Sequence, residues 1–109
     1  MSIGVEELVK SRKTPLLSRH AVLQVVRSSS SVAANFRAAT RARSYAEFFA
    51  KICLVVEECD ETQYWFDYLI GIGYLALPES KTLKEEILQL VKIFTTMKKN
   101  MESKLKGVK

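Results

Sequence analysis

Hydrophobic residues recur every three or four positions along three long stretches of this chain, the spacing of helices that bury one face. In the first stretch, from Thr14 to Ala42, the repeating apolar or small positions are Val22, Val26, Ser29, Ala33, Phe36 and Thr40. A Thr-Pro pair at its start is typical of a helix N-terminus. The serines at 28–31 have low helix propensity, but the period continues in phase on both sides. We therefore predict one continuous helix, with small residues that allow another backbone to approach closely.

The second stretch begins at a capping box, in which Ser44 and Glu47 would satisfy each other's backbone N–H groups. Gly71 and Gly73 predict its C-terminus. Between them runs a wide apolar face made of Tyr45, Phe48, Phe49, Ile52, Val55, Val56, Cys59, Phe66, Leu69 and Ile70.

The third stretch carries the cleanest coiled-coil-like pattern in the chain. Its apolar seam, at spacings of three and four, consists of Leu83, Ile87, Leu90, Phe94, Met97 and Met101. Thr82 and Glu85 form a second capping box and predict the start of this helix, with Pro78 in the preceding connection.

Length and composition limit the fold class. A chain of 109 residues is the size of one domain, and only four Gly and two Pro leave too few turns for an all-β fold. No apolar run is long enough to span a membrane, and the start does not resemble a signal peptide. We expect a single all-α domain over residues 1–109, located in the cytoplasm.

Charge alternates along the chain. Residues 1–44 hold eight basic and two acidic residues, residues 45–80 one basic and seven acidic, and residues 81–109 eight basic and three acidic. The net charges are +6, −6 and +5, and the total is +5. An acidic helix beside basic neighbours neutralises part of the positive charge. The remainder either attracts an acidic partner, most commonly nucleic acid, or serves solubility alone.

No catalytic or cofactor chemistry is evident. Cys53 and Cys59 point to different sides of one helix, and the single histidine, His20, has no orienting partner in the sequence. The carboxylates of residues 57–61 lack the Glu-x-x-His pairs of a di-iron bundle. We expect no metal, no cofactor and no enzymatic activity. An aromatic patch, Tyr64, Trp65 and Tyr68, serves either core or subunit packing or stacking on bases.

One motif resembles a known family. The stretch from Arg27 to Ala39, followed by Arg41-Ala42-Arg43-Ser44 and Ala46-Glu47-Phe48, resembles the 23S ribosomal RNA intervening-sequence proteins. Matching positions continue through Lys51, Glu57, Asp60, Glu61, Thr62, Tyr64 and Trp65, so that the resemblance covers about residues 16–100.

The resemblance implies an antiparallel up-down four-helix bundle that assembles into a homopentamer. Relatives include the accessory variability determinant of diversity-generating retroelements, a basic bundle that binds nucleic acid and a reverse transcriptase. Two positions depart from the family pattern. The segment before Val5 is too short for a full first helix, so we expect a short or truncated one, and Ala33 stands where glycine is common.

The residues that match the family's polar motif are the candidate nucleic-acid contacts: Arg27, Asn35, Arg37, Arg41, Arg43 and Lys51. Arg41 and Arg43 lie in the turn between two helices, where few acidic neighbours are expected. An alternative is that Arg27, Asn35 and Arg37 pair with carboxylates at 57, 58 and 61 and set the helix register.

The sequence is compatible with two functions. The first is a non-catalytic, oligomeric adaptor that binds RNA or DNA through phosphates and therefore depends strongly on salt. The second is a structural oligomer or protein-interaction module that binds no nucleic acid.

Overall fold

Three helices make up most of the protein in a computed structural model that describes residues 16–107, with side chains for 18–106 except Leu77. They are α1 (Leu16–Thr40), α2 (Tyr45–Gly71) and α3 (Leu77–Gly107). Residues 16–107 contain no strand, which confirms the all-α class. The predicted short first helix and the Thr-Pro start of the first stretch lie outside these described residues.

The central helix is α2. It packs along both of its neighbours, whereas no Cα atom of α1 lies within 8 Å of a Cα atom of α3. Contacts between Arg27 and Glu61, and between Lys84 and Asp67, join early residues of one helix to late residues of the other. Consecutive helices therefore run antiparallel, and α1 and α3 point the same way.

The core consists of three apolar clusters stacked along the helix axes. The first includes Val25, Phe66 and Ile87, from α1, α2 and α3 respectively. The second joins Val32, Val55, Val56, Cys59 and Phe94, and the third joins Ala39, Ile52 and Met101. Ile87, Phe94 and Met101 are buried, and they alternate with the half-buried Leu83, Leu90 and Met97, which confirms the predicted seam of α3.

The buried face of α1 differs from the predicted stripe. Its buried residues are Ser18, Ala21, Val22, Val25, Ser28, Ser29, Val32 and Ala39. Ala33 and Thr40 are exposed, and Phe36 is 40% exposed. The face of α1 that meets the core is centred on Val25, Ser28 and Val32 rather than on the predicted stripe. The partly exposed Phe36 ring contacts Phe94 of α3, with ring centroids 5.4 Å apart.

The boundaries of α2 follow the prediction. Ser44 is extended (φ −151°, ψ 162°), and its Oγ accepts a hydrogen bond from the Glu47 N–H at 3.1 Å. At the other end, the N–H of Tyr74 donates to Leu69 O, and that of Gly73 to Ile70 O, both at 3.0 Å. This is a Schellman motif, and Gly73 occupies its left-handed position with φ 81°.

The predicted start of α3 at Thr82 is wrong, because the helix begins five residues earlier at Leu77. Pro78 lies in the first turn, where its missing N–H is not needed. The Ala76 carbonyl accepts the Ser80 N–H at 3.0 Å and the Ser80 hydroxyl at 2.7 Å. The helix therefore includes Pro78 in its first turn, and Thr82 is an exposed residue within the helix. None of the helices described is both long and apolar enough to cross a membrane.

Candidate nucleic-acid interface

A polar seam runs between α1 and α2 and contains two of the candidate residues. The Arg27 guanidinium hydrogen-bonds Glu61, and its Nη1 lies 3.5 Å from Glu58 Oε2. The Ser31 hydroxyl donates to the same Glu58 oxygen at 3.0 Å. Asn35 Nδ2 donates to Ser31 O at 3.0 Å and lies 3.1 Å from Ser31 Oγ. The hydrogen bond to Glu61 is the main cause that raises the pKa of Arg27 above its usual value.

Two hydroxyl groups lie beneath this seam. Thr62 Oγ1 is 2.8 Å from Ser28 Oγ, and both side chains are fully buried. The backbone carbonyls of Glu58 and Gln24 lie 2.7 Å from Thr62 Oγ1 and Ser28 Oγ, respectively. Each hydroxyl has one proton, so Ser28 donates to the Gln24 carbonyl, and Thr62 donates either to the Ser28 oxygen or to the Glu58 carbonyl. Arg27 pairs with two carboxylates of α2, as the alternative interpretation expected, but Asn35 bonds Ser31 and not a carboxylate. Contact of Arg27 or Asn35 with nucleic acid stays a prediction.

The other four candidate residues lie together at one end of the molecule. Arg37 and Arg41 are exposed, and neither has a carboxylate partner in the part of the chain that the structure describes. The Arg43 side chain is 90% exposed, and its Nε is 3.8 Å from Glu47 Oε2. Lys51 is half-buried, next to Ile52 of the third core cluster. Among the described residues, the contact between Arg43 and Glu47 is the one ion pair that involves these four residues.

Sequence reasoning missed a second source of positive charge at this end. Met101 packs with Ala39 and Ile52, so the C-terminal half of α3 lies beside the turn between α1 and α2. We call the combined surface the cationic end; it comprises Arg37, Arg41, Arg43, Lys51, Lys98, Lys99, Lys104 and Lys106. The lysine-rich end of α3 was visible in the sequence, but only the antiparallel packing places it beside the arginines.

An open groove of about 400 Å³ adds apolar surface to this end of α3. It is lined by Ile93, Thr96, Met97, Asn100, Met101 and Lys104. The groove therefore places the Lys104 side chain beside the side chains of Ile93, Met97 and Met101.

The aromatic patch is centred on Trp65. Edge-to-face contacts join it to His20, Tyr64 and Tyr68, with ring centroids 5.4, 4.9 and 5.6 Å apart. Tyr64 is 60% exposed and Tyr68 39% exposed, so core packing does not account for them. Subunit packing and base stacking both remain open for this patch, which lies at the end of α1 and α2 opposite the cationic end.

Burial of Cys59 disfavours its thiolate form. Both Cys53 and Cys59 are free thiols, Cys59 is buried, and its burial together with the nearby Asp60 carboxylate raises its pKa from 9.0 to about 11. Within the described part of the chain, no three His, Cys, Asp or Glu side chains are grouped so that they could hold a metal ion.

Comparison with known proteins shows which family the chain belongs to. The family model described as 23S rRNA-intervening sequence protein matches residues 6–96. A solved structure of a protein of unknown function from the S23 ribosomal protein family of Bacteroides thetaiotaomicron VPI-5482 is similar, with a TM-score of 0.74 and 27% identity. The match covers 87% of this chain and 84% of that one. No curated protein matches the chain. The model match spans well over half of the residues, and the chain therefore belongs to the 23S rRNA-intervening sequence protein family.

Proposed function

We propose that this protein is a non-catalytic adaptor that binds the phosphate backbone of RNA or DNA at its cationic end. The observation that carries the proposal is the exposure of Arg37 and Arg41, which have no carboxylate partner among residues 18–106. Guanidinium groups suit this task because their planar donors match phosphate oxygens in pairs. Contacts of this kind bind nucleic acid with little sequence preference.

The chain's own acidic residues support this site over the rest of the surface. Arg27 is engaged by Glu58 and Glu61, and Lys84 lies 3.6 Å from Asp67. At the cationic end, the one ion pair among described residues is the loose contact between Arg43 and Glu47. Arg27 and Lys84, away from this end, are therefore paired with carboxylates, whereas Arg37 and Arg41 have no such partner among the described residues.

The proposal includes the finer architecture expected from the sequence. The three described helices would be joined by a short first helix to complete an antiparallel four-helix bundle. Assembly into a homopentamer would repeat the cationic end several times around one particle and strengthen binding to a long polyanion. A reverse transcriptase or another protein would then be recruited to the bound nucleic acid.

The test is fluorescence anisotropy with labelled single- and double-stranded RNA and DNA over a range of salt concentrations. We expect binding at low salt that weakens steeply as salt rises, because bound cations are released from the nucleic acid. Arg41→Ala/Arg43→Ala should reduce the slope of log affinity against log salt by about 1.4–1.8, since each phosphate contact contributes about 0.7–0.9. Arg19→Ala, an exposed arginine at the other end, is the matched control.

Two outcomes would contradict the proposal. Absence of binding to every probe at low salt would remove nucleic acid as the ligand. Equal affinity and slope for the double variant and the wild type would remove the cationic end as the site.

A second candidate function, a protein-interaction module, is favoured by a different observation. Tyr64 and Tyr68 are exposed on α2 within the acidic part of the chain, where negative charge repels nucleic acid. Base stacking is therefore disfavoured for these rings, and a protein partner is favoured.

A further inference from the structure

Tyr45 exposes an aromatic ring at the cationic end, two residues after Arg43. The sequence pattern places Tyr45 on the apolar face of α2, but the side chain is 47% exposed. Its ring contacts no other aromatic ring in the described part of the chain. Phe36, which is also exposed, packs instead against Phe94, with ring centroids 5.4 Å apart. Tyr45 therefore presents its ring to solvent rather than to the core.

The turn between α1 and α2 holds this ring close to the arginines. The backbone N–H of Arg41 donates to Ala38 O at 3.1 Å and continues the last turn of α1. Ser44 then caps α2, and Tyr45 is the first residue of that helix. Because Arg41 and Tyr45 are four positions apart, their Cα atoms are separated by no more than about 14 Å. A chain of phosphates that contacts Arg41 and Arg43 therefore passes within reach of the Tyr45 ring.

The charge around Tyr45 favours an anionic ligand. The cationic end is formed by residues 37–51 and 98–106, which contain eight lysines and arginines and two carboxylates, Glu47 and Glu102. Eight positive and two negative charges leave a net charge of +6 in these two segments. A polyanion is therefore attracted to the surface that carries the ring.

We propose that the cationic end binds single-stranded RNA or DNA and that Tyr45 stacks on one of its bases. This inference rests on the proposed function, because the arginines supply the phosphate contacts that bring the strand to the ring. In a duplex, neighbouring base pairs cover both faces of each base, whereas an unpaired base can lie flat on a tyrosine ring. Positive charge combined with an exposed aromatic ring is the arrangement that proteins use to bind single strands with little sequence preference.

The test compares anisotropy titrations of labelled single strands with those of duplexes of the same sequence. Tyr45→Leu removes the ring but keeps an apolar side chain, and it should weaken single-strand binding by roughly 5- to 150-fold, the effect of losing one stacked base. The slope of log affinity against log salt should stay unchanged, because no charge is lost. Affinity for the duplex should also stay unchanged. Tyr45→Phe, which keeps the ring, should bind both probes as the wild type does.

Tyr64→Leu is the matched control for the loss of a tyrosine ring. Tyr64 is 60% exposed but lies in the acidic part of the chain, so its replacement should change no affinity. Circular dichroism should show wild-type helical content for every variant. The wild type itself provides a measurement that needs no variant: at the highest salt concentration that still allows binding, it should prefer the single strand, because salt does not screen stacking.

Several results would overturn the stacking role of Tyr45. These are wild-type affinity of Tyr45→Leu for the single strand, equal losses for single strand and duplex, an equally large loss in Tyr45→Phe, or a wild type that prefers the duplex at high salt. Absence of binding to every probe would overturn the proposed function as well. If Arg41→Ala/Arg43→Ala weakens binding and Tyr45→Leu does not, the stacking inference alone is wrong.

Discussion

The hydroxyl oxygens of Ser28 and Thr62 lie 2.8 Å apart where α1 meets α2, and neither side chain is exposed to solvent. A serine at this position lets the two helices approach closely, and the hydroxyl pair keeps both side chains satisfied in the core. The neighbouring Ser30 is exposed. One serine of the run is therefore a packing residue, and another, two positions away, is a surface residue.

This difference predicts opposite outcomes for the same substitution. Ser28→Leu should lower the free energy of unfolding by about 1–3 kcal/mol or more, because a larger side chain overpacks the contact. Ser30→Leu should change it by less than about 0.5 kcal/mol, as expected for a solvated helix position. Urea unfolding followed by circular dichroism measures both, and equal effects would contradict the packing role of Ser28.

The observed N-cap of α2, Ser44, and Thr82, the incorrectly predicted N-cap of α3, provide a second comparison. Ser44→Ala removes an oxygen that accepts the Glu47 N–H and should cost about 1 kcal/mol. Thr82→Ala should be nearly neutral or slightly stabilising, because Thr82 lies inside α3 and alanine is the better helix former. Thermal and urea unfolding report both values. Similar losses for the two variants would mean that α3 starts at Thr82 after all.

Arg27 should matter more for stability than for binding. Arg27→Met retains the aliphatic stem but removes the contacts with Glu58 and Glu61, so the urea midpoint should fall. The difference between the urea midpoints of the wild type and the variant should become smaller as salt is added, because salt screens the ion pairs of the wild type. Arg19→Met, an exposed arginine with no ion pair among the described residues, should leave the midpoint unchanged.

The same Arg27 variant separates the two interpretations of this residue. If Arg27 mainly sets helix register, its loss should reduce nucleic-acid affinity much less than Arg41→Ala/Arg43→Ala does. An affinity loss as large as that of the double variant, with an unchanged urea midpoint, would instead make Arg27 a phosphate contact.

Burial of Cys59 predicts a loss of stability at alkaline pH. Unfolding exposes a thiol that ionises near pH 9.0, whereas the folded thiol keeps its proton until the pH approaches a pKa of about 11. Between these values the unfolded state binds fewer protons, so stability falls as pH rises, by at most about 1.4 kcal/mol per pH unit. Cys59→Ala lacks this ionisation and should show a shallower decline. Parallel curves for the two proteins would contradict the raised pKa.

Much of the local structure could be predicted from short-range patterns. The seam of Ile87, Phe94 and Met101, the cap at Ser44 and the end of α2 near Gly71 all depend on residues within a few positions of each other. Helix periodicity and capping hydrogen bonds are local, so the sequence alone carries them. The prediction that α3 starts at Thr82 was wrong for the same reason. Thr82 and Glu85 fit the local pattern of a capping box, although the helix already begins at Leu77.

The candidate site was only partly predictable. Arg41 and Arg43 were identified because a turn rich in arginine lies between two helical patterns. The pairing of Arg27 with Glu61 joins residues 34 positions apart. That pair and the face of α1 that becomes buried depend on how α2 packs against α1.

By itself, the sequence determined the three amphipathic helices, their alternating charge and the arginine-rich turn, because side-chain spacing and capping chemistry act over a few residues. Only the tertiary structure decided which of those charges are neutralised. It brought the lysines at the end of α3 beside Arg37 and Arg41, and it left the acidic face of α2 outside. These long-range contacts result from the burial of three apolar helix faces in one core. No local sequence pattern specifies which helix faces pack against each other.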